Sequence, residues 1–220
     1  MTRTRAIVFD MDGVLIDSEE LHAQAKRIAF AQTGISLSDV DLRSYIGRSD
    51  AIMVDEIGAR YGLTDGQRST ILNEKMRLYE QEERAIKIVP GAIEFVRWAA
   101  QHYRLALATS ATPRNRTATL NRLGITNLFE VVADLGGVSE PKPSPEIYLT
   151  VTSRLALPSS ECMVVEDALM GVLSAKHAGC YVSALTRTFA AHELLGVGAD
   201  FIFEDFQSLG GLLRSRNTCG

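Results

Sequence analysis

Two aspartates separated by one residue follow the first apolar run of the chain. The run 6–9 ends at Asp10, and Asp12 and Gly13 come shortly after it. At the end of a buried strand, one carboxylate can act as a nucleophile or a metal ligand while the other protonates a leaving group. Gly13 would let the backbone approach a ligand closely. The alternative is an ordinary Asp-Gly turn that closes a strand and has no chemical role.

Further polar residues follow two later apolar runs, and a lysine lies in a stiff loop. Thr109 and Ser110 offer a hydroxyl and backbone N–H groups to an oxyanion. Glu166 and Asp167 offer a second acidic pair, and carboxylate oxygens are ligands that Mg²⁺ prefers. Lys142 stands between two prolines, in a loop so stiff that a random solvated charge explains it poorly, and an ordinary surface lysine is the alternative. Together these groups predict phosphoryl transfer, in which a metal and a lysine neutralise phosphate charge while a carboxylate attacks.

Such chemistry requires a fold that brings the ends of several strands together. Short apolar runs alternate with helical patterns at 6–9, 105–108, 131–133, 162–165, 181–185 and 201–203. Runs of this length suit strands that are buried on both faces, and the alternation indicates a parallel sheet. The predicted class is a doubly wound α/β fold, in which ligands bind at the carboxyl ends of the strands.

One long segment between the first two runs shows no buried strand. Residues 17–87 have helical periodicity instead, interrupted by glycines at 34, 47 and 62. The first predicted buried helix face comprises Leu21, Ala25, Ile28 and Ala29. We therefore predict a helical cap domain over 17–87, inserted into an α/β catalytic core formed by 1–16 and 88–220.

Composition narrows the classes of partner. The 220 residues carry 23 basic and 27 acidic side chains, a formal net charge of −4, which argues against a nucleic-acid binder that relies on bulk positive charge. Cys162, Cys180 and Cys219 are too widely spaced for a metal-ligand pair and indicate reduced thiols. No apolar stretch is long enough for a signal peptide or a membrane span. We expect a cytoplasmic protein, monomeric, that binds a small phosphorylated metabolite.

The chain resembles the haloacid dehalogenase superfamily over nearly its whole length. The resemblance rests on four segments: Asp10-Met-Asp-Gly-Val-Leu-Ile-Asp-Ser-Glu19, Leu107-Ala-Thr-Ser110, Lys142-Pro-Ser-Pro145 and Val165-Glu-Asp167. It implies a Rossmann-like core with an all-helical cap inserted after the first segment. Asp12 favours phosphate-ester hydrolysis or phosphomutase chemistry, and the first segment is similar to that of the phosphoglycolate phosphatase and β-phosphoglucomutase branch.

The resemblance also implies a role for each residue. Asp10 would be the nucleophile that becomes an aspartyl-phosphate, and Asp12 the general acid and then the base that activates water. Thr109, Lys142 and the Ser110 amide would hold the phosphoryl oxygens. Mg²⁺ would be bound by Asp10, the backbone carbonyl of Asp12 and Asp167, with Glu166 either a ligand or just outside the ligands. Two departures, Ala168 in place of Ser or Thr and Pro141 in place of Gly or Ser, remove no catalytic group.

Three cap residues fall where this branch places substrate contacts, namely His22, Arg48 and Lys75. The alternatives are solvated surface for Arg48 and Lys75, and a histidine at the core boundary for His22. A mutase also needs a cap arginine for the second phosphate of a bisphosphate, and Asp50 occupies that place here. We therefore predict a Mg²⁺-dependent phosphatase acting on a sugar phosphate or a phosphoglycolate-like metabolite. A phosphomutase is the alternative enzyme, and a catalytically silent metabolite-binding module is the alternative outside enzymes.

Overall fold

A parallel sheet lies at the centre of the computed structural model, which describes residues 4–217. Within these residues the strands are β1 (Ala6–Phe9), β2 (Ile16–Asp17), β3 (Lys87–Ile88), β4 (Arg104–Ala108), β5 (Val131–Ala133), β6 (Cys162–Glu166), β7 (Tyr181–Leu185) and β8 (Phe201–Phe203). Six of them form one sheet in the order β5–β4–β1–β6–β7–β8, and every neighbouring pair is parallel. All six predicted runs are therefore strands of this sheet.

Each face of the sheet is covered by helices. In the described chain the helices are α1 (Glu19–Ala31), α2 (Asp39–Ser44), α3 (Asp50–Tyr61), α4 (Asp65–Glu82), α5 (Ala92–Ala99), α6 (Pro113–Leu123), α7 (Glu146–Arg154), α8 (Leu169–His177), α9 (Ala191–Gly196) and α10 (Phe206–Asn217). On one face, α5, α6 and α10 pack around Ile7 and Phe9 of β1. On the other, α7, α8 and α9 pack around Ala6 and Val8. The strands are thus buried on both faces because their side chains alternate, and the predicted doubly wound class is confirmed.

The segment between β2 and β3 is helical, as its periodicity predicts. It contains α1 to α4, and most of their buried apolar side chains form a hydrophobic cluster separate from the two clusters of the sheet, whereas Tyr79 of α4 packs with the sheet. Helix α4 begins with a capping box, in which Thr64 and Gln67 satisfy each other's backbone N–H groups. Helix α3 ends at Gly62, whose left-handed conformation (φ 69°) closes the helix.

A short antiparallel ribbon joins this helical segment to the sheet. Strand β2 pairs with β3, so that Ile16 lies opposite Ile88 and Asp17 opposite Lys87. The chain therefore leaves and re-enters the sheet domain at one place. We propose that the ribbon is the boundary between the predicted cap, 17–87, and the predicted core, 1–16 with 88–220.

The predicted buried face of α1 is wrong in one position. Ile28 is 41% exposed, whereas Lys26 and Phe30 are buried beside Ala25 and Ala29. A pattern of apolar residues alone does not include Lys26, which points inward because it forms an ion pair with Asp50. The buried stripe is therefore rotated toward Lys26, and Ile28 lies outside it.

The two cysteines within the described residues, Cys162 and Cys180, are buried free thiols. Burial raises the pKa of Cys162 to about 11 and that of Cys180 to about 12. Both sulfurs are therefore unreactive at neutral pH, in keeping with a packing role. Cys219 lies outside the described residues. Among residues 4–217 no helix is both long and apolar enough to cross a membrane.

Candidate active site

Three adjacent strands deliver the predicted catalytic residues to one edge of the sheet. Strand β1 lies between β4 and β6. Asp10 directly follows β1, Thr109 directly follows β4, and Glu166 is the last residue of β6. The Asp10 N–H donates to the carbonyl of Val165, 3.0 Å away, so the hydrogen bonding between β1 and β6 continues as far as Asp10. Parallel pairing of neighbouring strands thus explains why residues more than 150 positions apart meet.

Lys142 reaches this edge from the loop before α7 and is only 2% exposed. Its Nζ lies 2.6 Å from Asp10 Oδ1 and 2.7 Å from Glu166 Oε1, and it also donates to the carbonyl of Ala108 at 3.3 Å. Burial alone would lower the pKa of Lys142, but the charges of Asp10 and Glu166 outweigh it and raise that pKa well above its ordinary value. A permanent cation therefore stands beside the predicted nucleophile.

Asp10, Glu166 and Asp167 form a buried acidic cluster. One carboxylate oxygen of each lies within 4.8 Å of those of the other two, close enough to bind one metal ion together. Gly13 makes room for it: the chain there has φ 78°, and a Cβ would lie 1.9 Å from Asp167 Oδ2. An all-oxygen donor set of carboxylates suits a hard divalent cation such as Mg²⁺. The residues present thus fit the predicted metal.

The pKa values of the cluster show that its negative charge exceeds what Lys142 balances. Burial raises the pKa of Asp10 to about 8; Lys142 lowers it, while Glu166 and Asp12 raise it further. Burial, with repulsion from Glu166 and Asp10, also raises the pKa of Asp167 well above its ordinary value. Bringing carboxylates together in a desolvated site favours their neutral forms unless a cation is present. A divalent ion bound by these carboxylates would supply the counter-charge.

These pKa values predict how stability depends on pH in the absence of divalent ions. A carboxyl whose pKa is higher in the folded state stabilises the fold at low pH, and this stabilisation is lost as the pH rises from the unfolded value, near 4, through the folded value. We expect the melting temperature of chelator-treated protein to fall between pH 5.5 and 8.5. Replacing Asp10 with Asn should reduce this fall by at least about 2 °C, as differential scanning fluorimetry would show.

Added Mg²⁺ should restore the melting temperature of the wild type at pH 8.5, because a ligand that binds only the folded state stabilises it. An identical fall with pH in the wild type and in Asp10→Asn would contradict the raised pKa of Asp10.

Asp12 is the second carboxylate of the first motif and is held by two neighbours. Its Oδ1 accepts from Ser18 Oγ at 2.5 Å and lies 3.3 Å from His22 Nε2. Burial would raise the pKa of Asp12, but its hydrogen bonds with His22 and Ser18 and the nearby charge of Lys75 bring it below its ordinary value. Asp12 is therefore ionised here, the form that a general base needs, and the negative charge of a bound phosphate would favour its protonated form.

His22 and Lys75 connect Asp12 to the rest of the cap. Lys75 Nζ donates to His22 Nδ1 at 2.9 Å, which leaves Nε2 as the nitrogen that donates to Asp12. The His22 ring stacks on Tyr79, with ring centroids 4.5 Å apart. His22 thus lies beside Asp12, and Lys75, whose side chain is 8% exposed, is not solvated surface. Their contact with a substrate stays a prediction.

A cavity of about 500 Å³ lies between the cap and the strand ends, a size that suits a small metabolite. Nearly all of the predicted site residues line it, namely Asp10, Asp12, His22, Arg48, Lys75, Ser110, Lys142, Glu166 and Asp167. The cap loop at Gly47 lies very close to the core at Ala168. A Cβ added to Gly47 would lie only 2.7 Å from the Ala168 Cβ. Small residues at 47 and 168 therefore let the cap loop rest on the core.

Two predicted ligand-binding residues are engaged elsewhere in this structure. Thr109 is fully buried, and its hydroxyl accepts from the Ala111 N–H at 3.0 Å. Arg48 pairs with Glu56, with 2.5 Å between Nη2 and Oε1, and its guanidinium lies over the Tyr45 ring. The proposed contacts of Thr109 with phosphate and of Arg48 with substrate stay predictions.

Sequence reasoning missed several residues that hold the site together. Tyr148 donates to Glu166 Oε1 at 2.9 Å, Thr188 donates to Asp167 Oδ2, and Ser18 holds Asp12. Lys26 and Glu19 also line the cavity. Ser18 and Glu19 belong to the first motif and could have been found there. Thr188 follows β7 beyond any recognised motif, so only the sheet order, which puts β7 next to β6, reveals it.

The parallel sheet, with a capped acidic cavity at its strand ends, defines the class of this protein as an α/β enzyme. The chain belongs to the haloacid dehalogenase-like hydrolase family, whose family model matches residues 7–185. The family predicted from the four motifs is thereby confirmed. The predicted class of phosphoric monoester hydrolase is confirmed at the level of the family, several of whose named members are phosphatases.

The similar proteins include two phosphatases and a solved hydrolase. The phosphorylated carbohydrates phosphatase of Thermotoga maritima is 34% identical and covers 79% of this chain and 81% of its own length. The validoxylamine A 7'-phosphate phosphatase of Streptomyces hygroscopicus subsp. limoneus is 32% identical, with 91% and 93% covered. The crystal structure of a hydrolase from Pseudomonas syringae superposes with a TM-score of 0.87, at 26% identity and 96% and 99% coverage. By contrast, this chain spans only 20% of the length of the chloroplastic Protein SUPPRESSOR OF QUENCHING 1 of Arabidopsis thaliana, at 28% identity and 94% coverage of this chain.

Proposed function

We propose that the protein is a Mg²⁺-dependent phosphatase that hydrolyses a small phosphorylated metabolite of the sugar phosphate type. The observation that carries the proposal is the pairing of Asp10 with Lys142 in a covered cavity, next to an ionised Asp12. A nucleophile, a fixed cation and a separate acid–base group are what transfer of a phosphoryl group to a carboxylate requires. Two relatives, named as a phosphorylated carbohydrates phosphatase and a validoxylamine A 7'-phosphate phosphatase, support the substrate class.

In the proposed reaction a carboxylate oxygen of Asp10 attacks phosphorus, and the bond between phosphorus and the ester oxygen breaks. Asp12, protonated when the phosphate is bound, gives its proton to the departing ester oxygen, which leaves as an alcohol. Asp12 then takes a proton from water, whose oxygen attacks phosphorus and releases inorganic phosphate and Asp10. His22 and Ser18 keep Asp12 aimed at the reacting oxygen.

Charge on the transferring group would be balanced from two sides. Lys142 would stabilise the phosphoryl oxygens by its fixed charge in a site with little water. Mg²⁺, held by Asp10, Asp167 and the Asp12 carbonyl with Glu166 beside them, would supply further positive charge. Glu166 is held by Tyr148 and by the N–H groups of Asp167 and Ala168, at 3.0 and 3.1 Å, which favours a supporting position.

Hydrolysis of p-nitrophenyl phosphate tests the proposal. We expect release of nitrophenol with Mg²⁺ and its loss on chelation, and beryllofluoride with Mg²⁺ should raise the melting temperature by mimicking an aspartyl-phosphate. Beryllofluoride that leaves the melting temperature unchanged, together with no turnover, would favour the silent binding module. A phosphomutase would instead interconvert sugar phosphates without net release of phosphate. A screen of phosphorylated metabolites for released phosphate would then rank the natural substrates.

We also propose that the protein acts as a monomer in the cytoplasm. The unpaired, buried thiols Cys162 and Cys180 support a reducing compartment.

A further inference from the structure

Thr188 contacts the acidic cluster but has no task in the proposed reaction. It lies in the loop 186–190 between β7 and α9, and its side chain is partly buried. Its hydroxyl donates to Asp167 Oδ2. Asp167 directly follows β6 and is one of the three carboxylates that could bind a metal ion together. Because β7 pairs with β6, the loop after β7 reaches the carboxylate that follows β6.

Asp167 is held by a different kind of donor from the other two carboxylates of the cluster. Lys142 Nζ pairs with Asp10 Oδ1 and with Glu166 Oε1. The Asp167 side chain accepts from a neutral hydroxyl instead. A cation at this place would offset the charge of the carboxylate and compete with a metal ion for it. A hydroxyl fixes the carboxylate and leaves its negative charge available to a metal.

The same oxygen of Asp167 lies against the backbone of Gly13. A Cβ added to Gly13 would lie 1.9 Å from Asp167 Oδ2 and 2.5 Å from its Cγ. The torsion that turns an aspartate carboxylate has a broad energy minimum, so packing alone does not fix the direction of its two oxygens. A hydrogen bond to one oxygen fixes the direction of both. Gly13 therefore makes room for the carboxylate, and Thr188 sets its orientation.

The loop that carries Thr188 is anchored on both sides of it. Arg187 Nη2 lies 2.7 Å from Oδ2 of Asp17, in the ribbon that leads to the cap. The Phe189 side chain is buried, and the guanidinium carbon of Arg43 lies 4.5 Å from the centre of its ring. The Thr188 hydroxyl is thus held between two anchored neighbours, so little ordering of the loop is needed when a ligand binds.

We propose that Thr188 is a positioning residue that orients the Asp167 carboxylate for the divalent cation of the proposed phosphatase. This inference rests on the proposed function and deepens it, because it assigns part of the affinity for Mg²⁺ to a residue outside the four motifs. Hydrogen-bond partners of metal ligands typically contribute about 10- to 100-fold to metal affinity. Thr188 acts through Asp167, so its loss weakens metal binding and leaves the binding of substrate to the metal-loaded enzyme intact.

Metal binding by Thr188→Val tests the inference, because valine has the shape of threonine without the hydroxyl. Mn²⁺ prefers the same oxygen ligands as Mg²⁺, and electron paramagnetic resonance counts the free ion. We expect the dissociation constant for Mn²⁺ to rise by at least about tenfold in the variant. The Mg²⁺ concentration that gives half of the rise in melting temperature should increase by a similar factor. Thr188→Ser keeps the hydroxyl and should stay within about threefold of the wild type.

Thr186→Val is the matched control. Thr186 lies in the same loop and is also partly buried, but its hydroxyl donates to the carbonyl of Phe203, at 3.4 Å, rather than to a carboxylate. Its replacement should leave the affinity for both ions unchanged. The melting temperature of each chelator-treated variant reports folding without metal. Thr188→Ala, which also lacks the hydroxyl, carries the same expectation if Thr188→Val does not fold.

Hydrolysis of p-nitrophenyl phosphate gives a second readout. Thr188→Val should need at least about tenfold more Mg²⁺ for half-maximal hydrolysis, and excess Mg²⁺ should recover the lost turnover with KM for the ester unchanged.

Three results would overturn the role of Thr188: equal metal affinity in Thr188→Val and the wild type, the same loss in Thr186→Val, or no binding of either ion by the wild type. Weak metal binding by Thr188→Ser would overturn it as well, because the hydroxyl is then not the cause. A wild type that binds both ions, loses affinity in Thr188→Val and hydrolyses no phosphate ester would overturn only the proposed function.

Discussion

Replacing Asp10 with Asn should lower kcat for p-nitrophenyl phosphate by at least about 10⁴-fold. An amide oxygen is a poor nucleophile. Glu166, the other strand-end carboxylate that pairs with Lys142, is held by Tyr148 and by two backbone N–H groups. The measurement is steady-state release of nitrophenol at saturating Mg²⁺, with the chelator-treated enzyme as baseline. Mass spectrometry of wild-type protein quenched in acid during turnover should show an added phosphoryl group, and the variant should show none.

The same variant has a built-in control for folding. Because Asn places no charge in the buried cluster, Asp10→Asn should melt at or above the temperature of the chelator-treated wild type at pH 8.5. Loss of activity with retained or raised stability would separate chemistry from folding. Turnover of Asp10→Asn at the wild-type rate would overturn the aspartyl-phosphate route.

Sequence predicts the part of this site that the sheet itself positions. Apolar runs that end at Asp10, Ser110 and Glu166 identify strand ends, and parallel strands place those ends at one edge. The two prolines beside Lys142 point to that residue, and the third family motif assigns it to the site, although its loop has no periodic signal of its own. The strand order is the step that makes these residues neighbours, and the doubly wound class already implies it.

Sequence does not predict the contacts made by the cap. The burial of Lys26 depends on its pairing with Asp50, which no apolar pattern records, and the misplaced face of α1 has the same cause. Likewise, Arg48 lines the cavity, but its charge is taken up by Glu56, eight residues further along. These ion pairs depend on how α1, α3 and α4 pack against each other. The periodicity of a single sequence predicts which face of each helix is buried, but it does not predict which helices contact each other.

Removing the amino group of Lys142 should cost at least about a hundredfold in kcat/KM on every phosphate ester. Lys142→Ala takes away the fixed cation beside Asp10 and leaves Asp10 and Glu166 in a buried site without it. The lost charge would have stabilised the transferring phosphoryl group, which is common to all substrates. Steady-state kinetics on p-nitrophenyl phosphate, fructose 6-phosphate and glycerol 2-phosphate should therefore show a uniform loss. Circular dichroism and thermal unfolding in Mg²⁺ verify that the variant is folded.

Lys75→Ala is the matched comparison, because Lys75 is an equally buried lysine of the same cavity that lies at the cap. Its Nζ bonds to Asp50 and His22 and makes no contact with Asp10, so its loss should change KM or the ranking of sugar phosphates. Turnover of p-nitrophenyl phosphate, which is too small to need the cap contacts, should stay within about tenfold of the wild type. Lys75 acts on Asp12 only from a distance, through its charge and through His22, which keeps its own 3.3 Å contact with Asp12. Equal losses for the two lysines on all substrates would show that the cap side of the cavity takes part in phosphoryl transfer itself, and that the division of labour proposed between Lys142 and Lys75 is wrong.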